Sequence, residues 1–388
     1  MERNMNITLA AGGTGGHMVP AHALANELKA RGHGVMLVTD ARGAKIPAIF
    51  EDVPVEVLPA GRLGGGPIGM IKAFFGVMQG RKAARMLYRD FTPDCVVGFG
   101  GYPALPALMA AQAEGVPTVL HEQNAVLGRV NRLLARRAKA VATAYRTVQR
   151  SKDKSKEVLV GNPVRVEVAR LGEMPFPPLD ETSPFHILVT GGSQGASVLG
   201  EVVPEALGQL EEGLRHRLNV VQQCRPEDID RVRARYAELE IPAETLTYIE
   251  DMPRRIGNAH LVIARAGAST IAELTAAGRP AILVPLPIAT DDHQTYNAME
   301  MAKAGGAAMI KQPDFTPEKL ARQIEEIAGD GEALATAAQR SLSVGRPRAA
   351  EELADLVERI AAGDTPVPVG LVGASNPTPR ASGMGVPA

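Results

Sequence analysis

Short apolar runs alternate with longer stretches of helical period along most of the chain. In the first half the runs are NITLAA, GVMLVT, PDCVVGFG, PTVLHE and KAVATA; in the second they are FHILVTG, LNVVQQ, LTYIE, HLVIARA and PAILVPL. Strands that alternate with helices in this way predict βαβ units and parallel sheets. The pattern breaks at VGNPVRVEVARLGEMPFPPLDETSP, whose prolines interrupt regular structure, so the boundary between two doubly wound α/β domains falls near residue 163. The expected organisation is a first domain over residues 1–163, a second over 164–345, a helix within 346–362 and a tail over 363–388. The helix is read from AAEELADLVERIAA, and the tail, rich in Pro, Gly and Ser without period, is read as disordered.

Each half opens with the same device. Gly12, Gly13, Thr14 and Gly16 after the first strand fall on Gly191, Gly192, Ser193 and Gly195 in the second half at one constant offset. Glycine lets the backbone turn sharply and approach a ligand closely, while the free N–H groups and positive dipole end of the following helix attract anions. Doubly wound sheets bind ligands at this place, after the first strand. Thr14 and Ser193 add hydroxyl donors. Neither loop fits the dinucleotide fingerprint or carries the lysine of a Walker loop, which disfavours a dehydrogenase or an NTPase.

Composition narrows the classes further. The chain has 388 residues, 45% hydrophobic and 22% charged, with a formal net charge of −1. That balance predicts a globular chain of two or three domains without the basic excess a nucleic-acid partner requires. Cys95 and Cys224 are the only cysteines and lie far apart in apolar surroundings, so neither a disulfide framework nor a zinc site is expected. The start MERNMNITLA has no signal-peptide pattern, and no run approaches the roughly 18 apolar residues of a spanning helix. The expectation is a cytoplasmic protein that can still lie on a membrane surface. The one D-x-D, Asp228-Ile229-Asp230, sits in the charged run RPEDIDRVRARY and reads as a solvated helix face; no metal or cofactor is expected.

Polar groups gather where the strand ends converge: His121-Glu122-Gln123-Asn124, the hinge Gly161-Asn162-Pro163-Val164-Arg165, the segment Arg265 to Glu273, and Asp291-Asp292-His293-Gln294. The motifs GGTGGHMVPAHALA, GFGGYPALP, LHEQN, GNPVR, GGSQGA, RAGASTIAEL and DDHQTYNA, in this order, resemble the MurG family of peptidoglycan glycosyltransferases. Asp292 departs from the pattern, standing where an Asn is expected. The resemblance implies a GT-B fold, two Rossmann-like domains facing a central cleft. It implies transfer of N-acetylglucosamine from UDP-GlcNAc to undecaprenyl-pyrophosphoryl-MurNAc-pentapeptide, lipid I, giving lipid II at the cytoplasmic face of the inner membrane. By family match, Thr14, Gly15, Gly16, Asn124, Arg165, Ser193 and Gln294 contact the donor. Ile249 is expected at the uracil, and Ala268, Ser269, Thr270, Ile271, Ala272 and Glu273 around ribose and phosphate. Gly12, Gly13, Gly100, Gly101 and Tyr102 are expected to face the acceptor.

Arg165 can neutralise charge on the departing UDP. Inversion at the anomeric carbon, which the resemblance implies, needs one base for the acceptor 4-hydroxyl. His17 is the first candidate, because a helix N-terminus disfavours imidazolium. It can instead serve only as a hydrogen-bonding ligand contact; His121 and Glu122 stand behind it as candidates. Two rival functions are a GT-B enzyme glycosylating a membrane diacylglycerol and a nucleotide-sugar-binding module without turnover.

A lipid-linked acceptor requires a membrane-facing surface. At 100° per residue, Ile71, Phe74, Phe75 and Met78 form one helical stripe that continues through Lys82, Arg85 and Arg89. An apolar patch followed by cations suits an anionic phospholipid surface, and Arg136, Arg137 and Lys139 extend it. Ala73, Val77, Ala84 and Leu87, with Met70 and Tyr88 beside them, are expected to dock on the sheet. The flanking GRLGGGP reads as a mobile loop near the acceptor.

Overall fold

The computed structural model describes residues 4–13, 15–45, 50, 52–60, 66–180, 182–192, 195–328 and 331–365. Two wholly parallel sheets organise them. The first contains β1 (Asn6–Ala10), β2 (Gly34–Thr39), β3 (Val55–Val57), β4 (Cys95–Gly98), β5 (Thr118–Glu122), β6 (Ala140–Thr143) and β7 (Glu157–Leu159). The second contains β8 (Phe185–Thr190), β9 (Leu218–Gln223), β10 (Ala243–Leu246), β11 (Leu261–Ala264), β12 (Ala281–Leu283) and β13 (Ala307–Met309).

The strand orders are β3-β2-β1-β4-β5-β6-β7 and β10-β9-β8-β11-β12-β13. Apart from the extra edge strand β7, they are one order, so the repeat seen in the glycine loops extends to the sheets. In each, the strand order reverses beside the first strand: β1 lies between β2 and β4, and β8 between β9 and β11. A crevice opens at such a reversal, and each glycine loop leaves its strand there. Strands β4, β5, β6, β11 and β12 are buried at every residue, as parallel strands covered on both faces must be.

The expected strands appear, with one shift. LTYIE contributes only Leu246, because β10 runs earlier, over Ala243–Leu246. Its partner β9 ends at Gln223, opposite Leu246, so the residues beyond have no strand to pair with. The short strands β3, β7 and β13 lie at sheet edges and have three residues each, too few to show a period.

The helix Ala349–Ala361 returns to the first sheet. Leu353, Leu356, Val357 and Ile360, spaced on one helical face, are buried in the cluster that contains Ile7, Leu9, Val97 and Val119. Polar groups frame this docking: Arg31 pairs with Glu27, Asp355 and Glu358, and His33 Nε2 lies 2.7 Å from Glu358.

The helix Gly66–Phe91 buries Ala73, Ala84 and Tyr88; Ala84 and Tyr88 join a cluster shared with the helix Gly101–Glu114 and with Met36, Val38 and Val96 of the sheet, and the Tyr88 hydroxyl donates to the Ala107 carbonyl at 3.1 Å. Gly80 is the notch that permits this approach, since a Cβ there would run into the Pro59 carbonyl and the Pro106 ring. Ile71, Phe74 and Phe75 are 57%, 63% and 62% exposed, Met78 is half-buried, and Lys82, Arg85 and Arg89 are exposed. Met70, expected beside the docking face, is exposed instead; it precedes Phe74 by one turn and so joins the apolar stripe. Arg85 pairs with Glu114 across to the neighbouring helix. Of the GRLGGGP loop, residues 61–65 lie outside the described residues, as do residues 366–388 of the expected tail.

Candidate active site

The two glycine loops share their second glycine and then diverge. Gly13 and its counterpart Gly192 both have positive φ, 88° and 76°. The first helix begins at once, at Gly15, whereas the second begins at Ser197, after a further left-handed residue, Gly195. Thr14 and Ser193 lie outside the described residues. Gly15 and Gly16 open the helix Gly15–Ala30, and a Cβ at Gly15 would meet nothing within 4 Å. Gly12 is held for another reason: a Cβ there would come within 2.7 Å of Pro103 Cβ, so the GGYP turn seats directly on the first loop.

His17 lies against that turn. A Cβ on Gly100 would sit 3.7 Å from His17 Nε2, and one on Gly101 would sit 3.5 Å from Cε1. The two glycines, with φ of 81° and 72°, therefore leave room for the imidazole. Its Nδ1 is buried without a hydrogen-bond partner among the described residues. Burial pulls the His17 pKa below the ordinary histidine value, against the opposing main chain of Gly12. Burial thus favours the neutral ring, the form that can accept a proton. His17, Gly100, Gly101 and Tyr102 line a cavity of about 120 Å³ together with Glu122 and Asn124.

The other base candidates are committed elsewhere. His121 is fully buried; its Nε2 contacts the Gly161 carbonyl at 2.9 Å and its Nδ1 contacts Gln123 Nε2 at 3.0 Å. A carbonyl can only accept, so Nε2 carries the proton and Nδ1 accepts from the amide. Burial pushes its pKa down to about 4, and neither nitrogen is left for chemistry. Glu122 accepts four N–H bonds: Oε1 from the main chain and side chain of Asn124, Oε2 from Gly128 N and Asn131 Nδ2. Burial raises its pKa against those donors. The carboxylate acts as the frame that shapes the Asn124 turn.

Asn124 joins the two domains. Asn297, fully buried on the helix His293–Ala304, donates to Asn124 Oδ1 at 3.1 Å and to the Ala266 carbonyl at 3.3 Å, and accepts from Ala125 N at 2.8 Å. It thereby links the HEQN turn to the loop before the helix Ala268–Ala276. Asn297 lies within DDHQTYNA, where nothing local marks it, since its partners Asn124 and Ala125 lie far along the chain. Asp291, one of the polar groups near the strand ends, is held by Arg132 at 3.0 Å and Arg150 at 2.8 Å. Asp291 and Asp292 both have left-handed φ, 59° and 55°, a conformation that Asn and Asp tolerate best, which accounts for an Asp at the Asn position. Gln294 Oε1 accepts from Leu286 N at 2.9 Å, leaving its NH₂ available.

Arg165 Nε and Nη2 both reach Glu273 Oε1, at 3.0 and 2.7 Å, and Oε2 takes no part in this pair. Burial raises the Glu273 pKa, opposed by Arg165. Ala268, Ile271, Ala272 and Thr275 form one face of their helix and line a second, small cavity of about 30 Å³ between the domains at Asn162. Ser269 and Glu273 lie on the other face. The side chains of Ala268, Ile271 and Ala272 therefore turn to the hinge, whereas the Ser269 hydroxyl at that helix start is buried without a hydrogen-bond partner among the described residues. Ile249 is 4% exposed and packed in the second-domain core, so any contact with uracil falls to its main chain. Arg265 is buried and ties strand ends together, donating to the carbonyls of Val284 and Pro285 and to Gln312 Oε1. Asp228 and Asp230 pair with Arg231 and Arg233; Asp230 is exposed on the helix as expected, whereas Asp228 sits at the helix start with its Oδ2 buried, so it is not part of a solvated face.

Two parallel α/β domains with glycine turns at both sheet reversals define a GT-B glycosyltransferase architecture. The family models Glycosyltransferase family 28 N-terminal domain and Glycosyltransferase family 28 C-terminal domain match residues 7–143 and 186–360. A relative from Erythrobacter litoralis is 56% identical over 99% of this chain and 96% of its own. One from Novosphingobium aromaticivorans is 60% identical over 92% of each chain. Both are named UDP-N-acetylglucosamine--N-acetylmuramyl-(pentapeptide) pyrophosphoryl-undecaprenol N-acetylglucosamine transferase. The crystal structure of MurG from Acinetobacter baumannii is similar with a TM-score of 0.74 and 32% identity, covering 92% of this chain and 99% of that one. This chain belongs to glycosyltransferase family 28, in its MurG branch.

Proposed function

We propose that this enzyme moves N-acetylglucosamine from UDP-GlcNAc to the 4-hydroxyl of MurNAc in undecaprenyl-pyrophosphoryl-MurNAc-pentapeptide, converting lipid I to lipid II. The observation that carries the geometry is the cavity in which His17, its Nδ1 unpartnered, faces the Gly100 turn beside Asn124, which Asn297 ties to the donor domain. In a single displacement, His17 takes the 4-hydroxyl proton and that oxygen attacks the anomeric carbon. The bond to UDP breaks with its electron pair leaving on the diphosphate. The main-chain N–H groups at the start of the helix Ala268–Ala276 and the Arg165 guanidinium stabilise that charge, while Glu273 Oε2 holds the ribose. Radiolabelled GlcNAc should pass from UDP-GlcNAc to a short-chain lipid I analogue in EDTA. Donor binding without transfer, together with transfer to diacylglycerol, would replace lipid I as the acceptor.

The same reading places the enzyme peripherally on the cytoplasmic face of the inner membrane. Among the described residues no helix is long and apolar enough to cross a membrane. The exposed Met70, Ile71, Phe74 and Phe75 end in Lys82 and Arg89, an apolar patch rimmed by cations that suits the interfacial zone of anionic phospholipid. Phe74→Ser with Phe75→Ser should reduce sedimentation with anionic vesicles about tenfold, since two exposed rings are lost from the buried area. Undiminished co-sedimentation would remove the patch from membrane binding.

A further inference from the structure

The acceptor cavity contains one charged group with nothing to do. Three of its lining side chains bear or can bear charge near neutral pH: His17, Glu122 and Arg129. Burial keeps His17 neutral, and Glu122 is saturated by four N–H donors. Arg129 is exposed, and among the described residues no carboxylate or carbonyl pairs with it. Nearby arginines are occupied: Arg132 and Arg150 both hold Asp291.

The backbone at Arg129 is pinned although its side chain is free. Gly128 N donates to Glu122 Oε2 at 2.8 Å, Asn131 Nδ2 to Glu122 Oε2 at 2.9 Å, and Arg132 N to the Gly128 carbonyl at 2.8 Å. Val130 is buried. The same turn that flanks the base also touches this segment: a Cβ on Gly100 would lie 3.6 Å from Asn131 Nδ2 and 3.7 Å from His17 Nε2. An exposed guanidinium on a fixed backbone, lining a cavity that holds no competing free anion, is built to receive one.

We infer that Arg129 binds an anionic group of the acceptor and so sets acceptor affinity. The inference rests on the reading of the chain as a lipid I transferase. That acceptor offers two groups of this chemistry, the diphosphate and the stem-peptide carboxylates. Arg129→Gln should raise the acceptor KM about tenfold, the order expected for one charge-assisted hydrogen-bonded pair, with donor KM and kcat within about twofold. Arg129→Lys should recover part of the loss, because charge is kept and the fork is not.

An acceptor analogue with amidated stem carboxylates separates the two sources. A Gln penalty that persists on it assigns Arg129 to the diphosphate; one that vanishes assigns it to the stem. Unchanged acceptor KM in Arg129→Gln, or a rise confined to the donor, overturns the inference while wild-type transfer to lipid I keeps the enzyme's assignment standing. If wild type transfers to diacylglycerol and not to lipid I, the assignment itself falls. Equilibrium binding of the short-chain lipid I analogue to wild type and Arg129→Gln then decides this inference independently, and equal affinities sink it.

Discussion

His17→Ala lowers turnover by a factor on the order of 10² to 10⁴, the contribution of a positioned general base, and leaves UDP affinity close to wild type. The expectation follows from where the ring lies. It faces the Gly100–Gly101 turn in the cavity proposed for the acceptor, with a buried nitrogen that has no hydrogen-bond partner among the described residues. The pH profile carries the same signature. Only a neutral imidazole accepts a proton, so the rate falls as pH drops through the His17 pKa. Burial depresses that pKa, so the acid limb of kcat/KM lies below the ordinary histidine value of about 6.5 and is absent from His17→Ala. A modest loss of rate with weakened UDP binding would make His17 a ligand contact.

Deleting residues 349–361 leaves the chain unable to fold. Leu353, Leu356, Val357 and Ile360 are essentially inaccessible against the first sheet, and burying each such side chain stabilises by about 1.5–3 kcal/mol. Four of them amount to roughly 6–12 kcal/mol, comparable with the whole stability of an ordinary domain. The single change Leu356→Ala should cost about 2–5 kcal/mol and lower the urea midpoint accordingly. Arg348→Ala, which removes only the exposed pair with Glu351, should change stability by under about 1 kcal/mol. Equal midpoints for Leu356→Ala and Arg348→Ala would show that the docking contributes nothing.

The central strands and both glycine turns were legible because burial on two faces demands continuous apolar runs and a left-handed turn demands glycine. Edge strands were not, since β3 is three exposed residues whose pairing depends on β2 alone. The two faces of the helix Ala268–Ala276 follow from its spacing, which sets Ala268, Ile271, Ala272 and Thr275 at the hinge cavity and turns Ser269 and Glu273 away from it. His121 and Glu122 stand behind His17 as base candidates in the sequence, because a polar group that ends a buried strand often only satisfies its neighbours. Their partners, Gly161 and Asn131, show that a strand end can need such groups to organise the turn that follows. Asn297 had no local signal, since its bonds reach back to Asn124 and Ala125 in the other half of the chain.

The return of the last helix to the first sheet governs how this enzyme can be recombined with a relative. A chimera with one junction at the hinge would seat a foreign helix on the Ile7 and Leu9 face of the first sheet. Exchange of the acceptor half therefore requires two junctions, one near Asn162 and one near Arg346, so that the terminal helix travels with the strands it covers.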